Sequence, residues 1–325
     1  MKLAISGTLT DEFLTYGRQL GATDVVGGTH ELGKDRGYYD FNDLMWQKQK
    51  IVVAGLRWAV LEGVPAEWCH KIKLGLPGRD EQIDNWCRSL RNMGEAGIPV
   101  LGYFFSLRSR PGNFGLRTSR STLSRGGAVV TSFDYELIKG AKGDYWDPPV
   151  THVDEITDDE IWANHEYFLK AVIPVAEEAG VKMGLHPDDP PISPIAGVAR
   201  VFRSHDALKK HIELVPSDYN GLGFCHGTIS EMDGDVKDAI RYFGERGKIF
   251  YVHFRSVSGT VPAFTETFID EGHADVRESM RAFKEVGFDG AMIDDHVPKL
   301  VVDTEQSHVA HAYAMGYMKS LLDAV

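Results

Sequence analysis

Four stretches in the C-terminal half of this chain end on side chains that bind metal ions. His186 closes the apolar run that begins at Val181, and Cys225-His226 closes the run that begins at Gly221. His253 closes the run from Ile249, and Asp295-His296 stands just beyond the run from Gly290 to Ile293. Imidazole, thiolate and carboxylate together make a mixed donor set suited to a divalent transition metal. One such residue alone is more often a satisfied core or rim group. Four successive runs ending this way point to a shared ion.

The first run stops abruptly because Pro187, Pro190 and Pro191 cannot donate to a sheet ladder and restrict the residues before them. That leaves His186 on the last strand position, followed by Asp188 and Asp189 on a stiff turn. Successive strand residues face opposite ways, so one of Cys225 and His226 points to the site and the other packs outward. The parity of one strand leaves both assignments open.

The elements that must carry these ends alternate along the whole chain. Strands are expected at Leu3 to Ser6, Asp24 to Gly27, Ile51 to Ala54, Ile98 to Phe105, Val181 to Leu185, Gly221 to Cys225, Ile249 to His253 and Gly290 to Ile293. Helices are expected between them, and a last one runs from Thr304 to Leu322. Arg57 to Gly78, with Trp58, Glu62 and Trp68, fits neither period clearly. Eight strand–helix units of this length call for an α/β fold, a closed (β/α)8 TIM barrel forming a single domain over residues 1–325. An open doubly wound sheet is the second choice, but Ser6-Gly7-Thr8-Leu9 is no Gly-rich phosphate turn. In a barrel the strands' C-terminal ends share one mouth, which brings the four candidate ends together. His30, Glu31 and Trp58 also stand near the ends of early strands, as weaker candidates.

Between Ser106 and Thr157 periodicity is lost. This stretch holds Arg108, Arg110, Arg117, Arg120 and Arg125. So long an insertion is expected to be a functional lid over residues 106–157, with its arginines facing an anionic substrate. Arg117 in the lid and Arg255, of the same strand parity as His253, are the candidates to clamp a substrate carboxylate.

The rest of the composition narrows the class. The chain has 325 residues, 43% hydrophobic and 25% charged, which is ordinary for a soluble globular protein. A net charge of −12 argues against nucleic acid or an anionic membrane as partner, and in favour of a small molecule. Homo-oligomerisation is left open. No signal-peptide apolar region follows Met1, and the 3 cysteines form no CxxC pair, so a reducing cytoplasm without a disulfide framework is expected.

The run Ile173 to Gly180, the block His186-Pro187-Asp188-Asp189-Pro190-Pro191, Gly223-Phe224-Cys225, Val252-His253-Phe254-Arg255 and Asp295-His296 together resemble the mannonate dehydratase family. The resemblance is best from about Trp162 to Pro298 and looser before it. It implies a TIM barrel holding Mn2+, or Co2+, Fe2+ or Zn2+, that dehydrates D-mannonate to 2-keto-3-deoxy-D-gluconate. On matching positions the ligands would be His186, Cys225, His253 and Asp295, with His296 as a proton-transfer residue and Asp188 or Asp189 as a weaker candidate for that work. There are departures too. Ile293-Asp294 stands where the family has Arg-Pro, and Lys299 to Ser307 lacks the family's tyrosine. The added carboxylate of Asp294 beside Asp295 would repel a second anionic group and welcome a hydroxyl, so a substrate differing from D-mannonate at that end is expected. Two other readings compete: a metal-dependent sugar isomerase, epimerase or β-eliminating lyase on a keto-sugar or glycoside, and a binding protein without catalysis.

Overall fold

The structure, a computed structural model, describes residues 1–29, 32–33, 35–109, 116–150 and 155–325. His30, Glu31 and Arg110 lie outside the described residues. Among the described residues there are fourteen strands: β1 (Lys2–Ile5), β2 (Asp24–Val26), β3 (Arg57–Glu62), β4 (Val100–Phe104), β5 (Arg108–Ser109), β6 (Ser119–Leu123), β7 (Val129–Asp134), β8 (Trp146–Asp147), β9 (Lys182–His186), β10 (Asn220–Cys225), β11 (Ile249–Phe254), β12 (Val257–Ser258), β13 (Ala263–Glu266) and β14 (Ala291–Asp294). Eight of them close into a parallel barrel in the order β1-β14-β11-β10-β9-β4-β3-β2, the expected TIM barrel.

Local signals set most of the helices. Thr157 and Glu160 form a reciprocal capping box that starts the helix Asp158–Ala179, and Gly180 ends it in the left-handed region at φ 68°. Ser204 and Asp235 cap the helices His205–Leu214 and Val236–Gly244 through their side chains. Each such cap is worth about 1 kcal/mol.

The expected third strand is wrong, and the reason bears on the site. Ile51, Val52 and Val53 finish the helix Phe41–Val53, whose buried positions are Leu44, Gln47 and Ile51. Val52 and Val53 are 50% and 76% exposed. A parallel barrel strand is covered on both faces, so a run that buries only one residue in three cannot be one. The true strand is β3, where Trp58, Ala59, Val60 and Leu61 are all buried. It ends on Glu62.

Residues 106–157 also hold more order than periodicity suggests. β6 and β7 join β13 and β12 in a four-stranded antiparallel sheet, and β5 pairs with β8. β6 reads Ser-Arg-Ser-Thr-Leu and is mostly exposed, so it offers no apolar alternation to detect. Lys299, beyond β14, exchanges both backbone hydrogen bonds with Val129 and ties this sheet to the barrel.

Tyr251 fills the space inside the barrel. A Cβ built on Gly102, Gly184 or Gly223 would stand 2.4, 2.9 or 2.3 Å from its side chain. Three neighbouring strands therefore carry glycine where the phenol crosses them. Its hydroxyl donates to Glu62 Oε1 at 2.6 Å, which locks the end of β3 at the mouth.

Candidate metal centre and active-site cavity

β9, β10 and β11 are neighbours, and their last inward side chains converge. Ligand atoms of His186, Cys225 and His253 all lie within 4.8 Å of one another, and all three residues are buried. Cys225 and His253 are register partners. The His186 Nδ1–H donates to the Pro187 carbonyl at 2.7 Å, which leaves Nε2 as the donor nitrogen. Cys225 caps the short helix His226–Ser230, with Sγ accepting from the Thr228 hydroxyl at 3.1 Å and from its amide at 3.4 Å.

The open choice at β10 falls to Cys225. His226 turns outward, Nδ1 lying 2.9 Å from the Arg255 carbonyl and Nε2 2.9 Å from Ser279 Oγ. Both of its nitrogens are engaged away from the cluster.

Two carboxylates complete the surroundings. Asp295 Oδ2 stands 3.7 Å from His253 Nδ1, so it borders the cluster without belonging to the tight group of three. Glu62 Oε1 lies 2.9 Å from His253 Nε2, yet that nitrogen has no partner in line for a hydrogen bond among the described residues. Burial disfavours the charged imidazole of His253, but Glu62 and Asp295 outweigh it and hold its pKa well above the usual value. His186 is pushed down to about 4 by burial and then by His253. Burial would raise Asp295, but His296, His253 and Arg255 hold it well below the carboxylate range. Two imidazoles, a thiol supported by a hydroxyl and an amide, an unsatisfied buried nitrogen and two carboxylates are a donor set that fits a divalent cation.

The arginines do not reach out as expected. Arg117 and Arg255 are 5% and 2% exposed and share a buried network of carboxylates. Arg117 grips Asp189 with two hydrogen bonds of 2.7 and 2.9 Å, and its Nη2 reaches Glu266 at 2.5 Å. Arg255 donates to Asp189 at 2.9 Å, Glu231 at 2.8 Å, Glu266 at 3.0 Å and Asp295 at 3.1 Å. Their positive charge is spent on protein carboxylates. Burial would raise Asp189, but Arg117 and Arg255 drive it far below its usual range, so it is a fixed anion rather than a proton carrier. Asp188 is likewise absorbed, accepting from the Phe202 amide at 2.8 Å and lying 3.8 Å from Arg200. The structure thus places Asp188 and Asp189 beside the centre as scaffold. Burial and then Asp189 push Glu231 well above the normal range.

His296 sits at the rim with φ 47°, an uncommon backbone conformation for a non-glycine residue. Its Nδ1 lies 2.8 Å from Glu266 Oε1. Donation to that carboxylate places the proton on Nδ1, which also lies 3.2 Å from Arg117 Nη2, while Nε2 lies 3.6 Å from Asp295 Oδ1. A cavity of about 470 Å³ opens here, lined by Glu62, His253, Asp295 and His296 on the barrel side and by Arg120, Val129, Thr131 and Lys299 on the other. Of the five arginines expected in the lid, Arg120 is the one among the described residues that borders this space. Arg125 instead binds Asp270 at 2.7 Å.

Asp294, the added carboxylate, is paired. Its Oδ2 lies 2.7 Å from His311 Nδ1, and both residues line the same cavity. Tyr313 and Tyr317 lie on the helix His308–Ala324, as the period suggests. Glu62, Glu231, Glu266 and His311 are not among the site residues expected from the sequence. Only Glu62 left a signal, as a carboxylate ending an apolar run like the other site residues. Glu231, Glu266 and His311 sit on a short helix end, an added strand and the last helix, where no period marks a ligand.

Comparison with known proteins agrees with this geometry. The family model for D-mannonate dehydratase (UxuA) matches residues 6–146 and 148–325. A mannonate dehydratase of Thermotoga maritima is 31% identical over 304 residues, covering 85% of this chain and 82% of its own. One from Streptococcus pneumoniae is 34% identical over 277 residues, covering 79% and 74%. The crystal structure of mannonate dehydratase from Streptococcus suis serotype 2 superposes with a TM-score of 0.87 at 28% identity, over 100% of this chain and 94% of that one. A D-psicose 3-epimerase from Clostridium cellulolyticum H10 shares the barrel alone, with a TM-score of 0.64 at 13% identity over 99% of both chains. With the family matched along nearly its whole length, the chain belongs to the D-mannonate dehydratase family and is a hydro-lyase.

Proposed function

We propose that the chain is a metal-dependent sugar-acid dehydratase that converts D-mannonate, or a close hexonate analogue, to the 2-keto-3-deoxy acid, 2-keto-3-deoxy-D-gluconate in the case of D-mannonate. The observation that carries this reading is the His186, Cys225 and His253 cluster, of which His253 lines a cavity of about 470 Å³ together with a carboxylate-oriented His296. His186, Cys225, His253 and Asp295 would hold the ion, Mn2+ first and Co2+, Fe2+ or Zn2+ as substitutes. When bound, such an ion acts as a Lewis acid on the charge that builds on the substrate carboxylate as the α-proton leaves.

The remaining work falls to the chain. His296, with its proton fixed on Nδ1 by Glu266, offers Nε2 as the base for the C2 proton. Asp189, Glu266, Arg117 and Arg255 hold that geometry as a rigid salt-bridged bed. Arg120 and Lys299 on the cavity wall replace Arg117 and Arg255 as the cations facing an anionic substrate. The strand β7 covers the mouth, since its Val129, Val130 and Thr131 wall the cavity.

The deciding experiment is an assay of metal-reconstituted protein on a panel of hexonates and keto-sugars, read by mass. A loss of 18 mass units from a hexonate, abolished by chelation and restored by Mn2+, is the expected result. An isomerised keto-sugar, or full activity without metal, would overturn the reading.

A further inference from the structure

We infer that His311, held by Asp294, is the acid that protonates the departing hydroxyl, making it the second proton-transfer residue of the cavity. The inference rests on the dehydratase reading above and adds a residue to it.

Dehydration needs two proton movements. The C2–H bond breaks and its proton goes to a base. The C3–O bond then breaks with its electron pair on oxygen, and that oxygen takes a proton to leave as water. The enol left behind tautomerises to the 2-keto-3-deoxy acid. Protons and electrons balance with no further reactant. A single imidazole such as His296 serves one movement at a time.

The cavity contains a second imidazole of matching construction. Glu266 holds His296 Nδ1 at 2.8 Å, and Asp294 holds His311 Nδ1 at 2.7 Å. In each case a carboxylate fixes the ring and its tautomer, so the proton-transfer nitrogen is Nε2. His311 Nε2 has no hydrogen-bond partner among the described residues, and the ring borders the cavity. Asp294 and Asp295 are consecutive at the end of β14, so one strand end positions His311 and places a carboxylate beside His253.

The charge state suits an acid. His311 lies in the first turn of the helix His308–Ala324, where the helix dipole disfavours a cation. Burial disfavours it as well, but Asp294, then Asp295 and Asp303, outweigh burial and raise His311 above its usual value. Asp303 also caps that helix, accepting from the Val309 and Ala310 amides at 2.9 and 3.2 Å. His311 and His296 thus face the same space. Asp294 acts as a positioning residue, through His311.

The test follows hexonate in D2O with reconstituted protein, reading C2–H exchange by NMR and dehydration by mass in the same samples. His311→Gln is expected to keep C2 exchange within about tenfold while dehydration falls about 10²–10⁴-fold. Asp294→Asn should show the same split more weakly, and His296→Gln should lose both signals. Retained exchange shows that a variant is folded and loaded. Dehydration by His311→Gln within a few-fold of wild type overturns the inference and leaves the dehydratase reading standing. Equal loss of exchange and dehydration, with metal content and melting unchanged, also overturns it, because His311 then does not act at the hydroxyl. If His311→Gln fails to fold, Asp294→Asn decides on the same criterion. A wild-type protein inert to every hexonate in both readouts brings down the dehydratase reading and the inference with it.

Discussion

Glu62 Oε1 and His253 Nε2 stand 2.9 Å apart, although β3 and β11 lie on opposite sides of the barrel ring. Tyr251 makes this meeting possible. It spans the interior over Gly102, Gly184 and Gly223 and donates to the same Glu62 oxygen. A carboxylate from the N-terminal half of the chain is thus pressed against the candidate metal centre of the C-terminal half. Glu62→Gln keeps the volume and removes the charge, and Mn2+ affinity is expected to fall about 10–100-fold. Calorimetric titration of the stripped protein measures it, and unchanged affinity would remove Glu62 from the centre.

The two histidines that end β9 and β11 should behave differently from the one that follows β10. His186→Ala and His253→Ala should each purify without bound metal. His226→Ala should keep metal and instead lose about 1–3 kcal/mol of stability, because it strands the Arg255 carbonyl and the Ser279 hydroxyl. Elemental analysis beside urea unfolding separates the two classes. Metal loss in all three would place the cluster on the wrong face of β10.

Arg117 is expected to show its effect in stability before kinetics. Its removal would leave Asp189 and Glu266 buried with one cation fewer. Breaking such a buried pair costs about 3–5 kcal/mol. Arg117→Met should therefore lower the urea midpoint sharply, while Arg120→Met should raise KM for the acid substrate. A destabilisation below about 1 kcal/mol for Arg117→Met would mean that the network contributes little.

Acid sensitivity should come in part from a histidine pair remote from the site. His165 Nε2 and His211 Nδ1 are 2.9 Å apart and both residues are fully buried. Burial, and then the neighbouring ring, drives His165 well below its usual value. Burial lowers His211 to about 4. Both shifts are downward, so protons bind the unfolded chain more readily. The pair costs nothing above about pH 6.5 and destabilises the fold increasingly as pH falls from there to about 4. For His211 alone the loss is on the order of 3 kcal/mol. His211→Gln should flatten the stability curve of the wild type between pH 6.5 and 4, measured as the difference in urea midpoints. Parallel curves would assign the acid lability to other groups.

The site was legible where chemistry coincides with a strand end. His186, Cys225, His253 and Asp295 each follow an apolar run, and strand period alone predicts that such ends gather at one mouth. Glu62 obeys the same rule but was hidden, because Ile51-Val52-Val53 resembles a strand locally and displaced β3 by a few residues. Only burial separates the two: Val52 and Val53 face solvent, while every residue from Trp58 to Leu61 is covered.

By itself, then, the sequence determined the barrel, its eight alternating units and the strand ends that gather His186, Cys225 and His253, because these follow from periods of two and 3.6 and from prolines and glycines acting within a few residues. Tertiary structure alone decided how charge is paired. Arg117 and Asp189 are 72 residues apart, Arg117 and Glu266 are 149 apart, and Asp294 meets His311 only because the last helix folds back over β14. Electrostatic partners depend on distance in space, which no local period encodes. That is why two arginines expected to hold a substrate turned out to hold the protein, and why a histidine on the final helix enters the cavity unannounced.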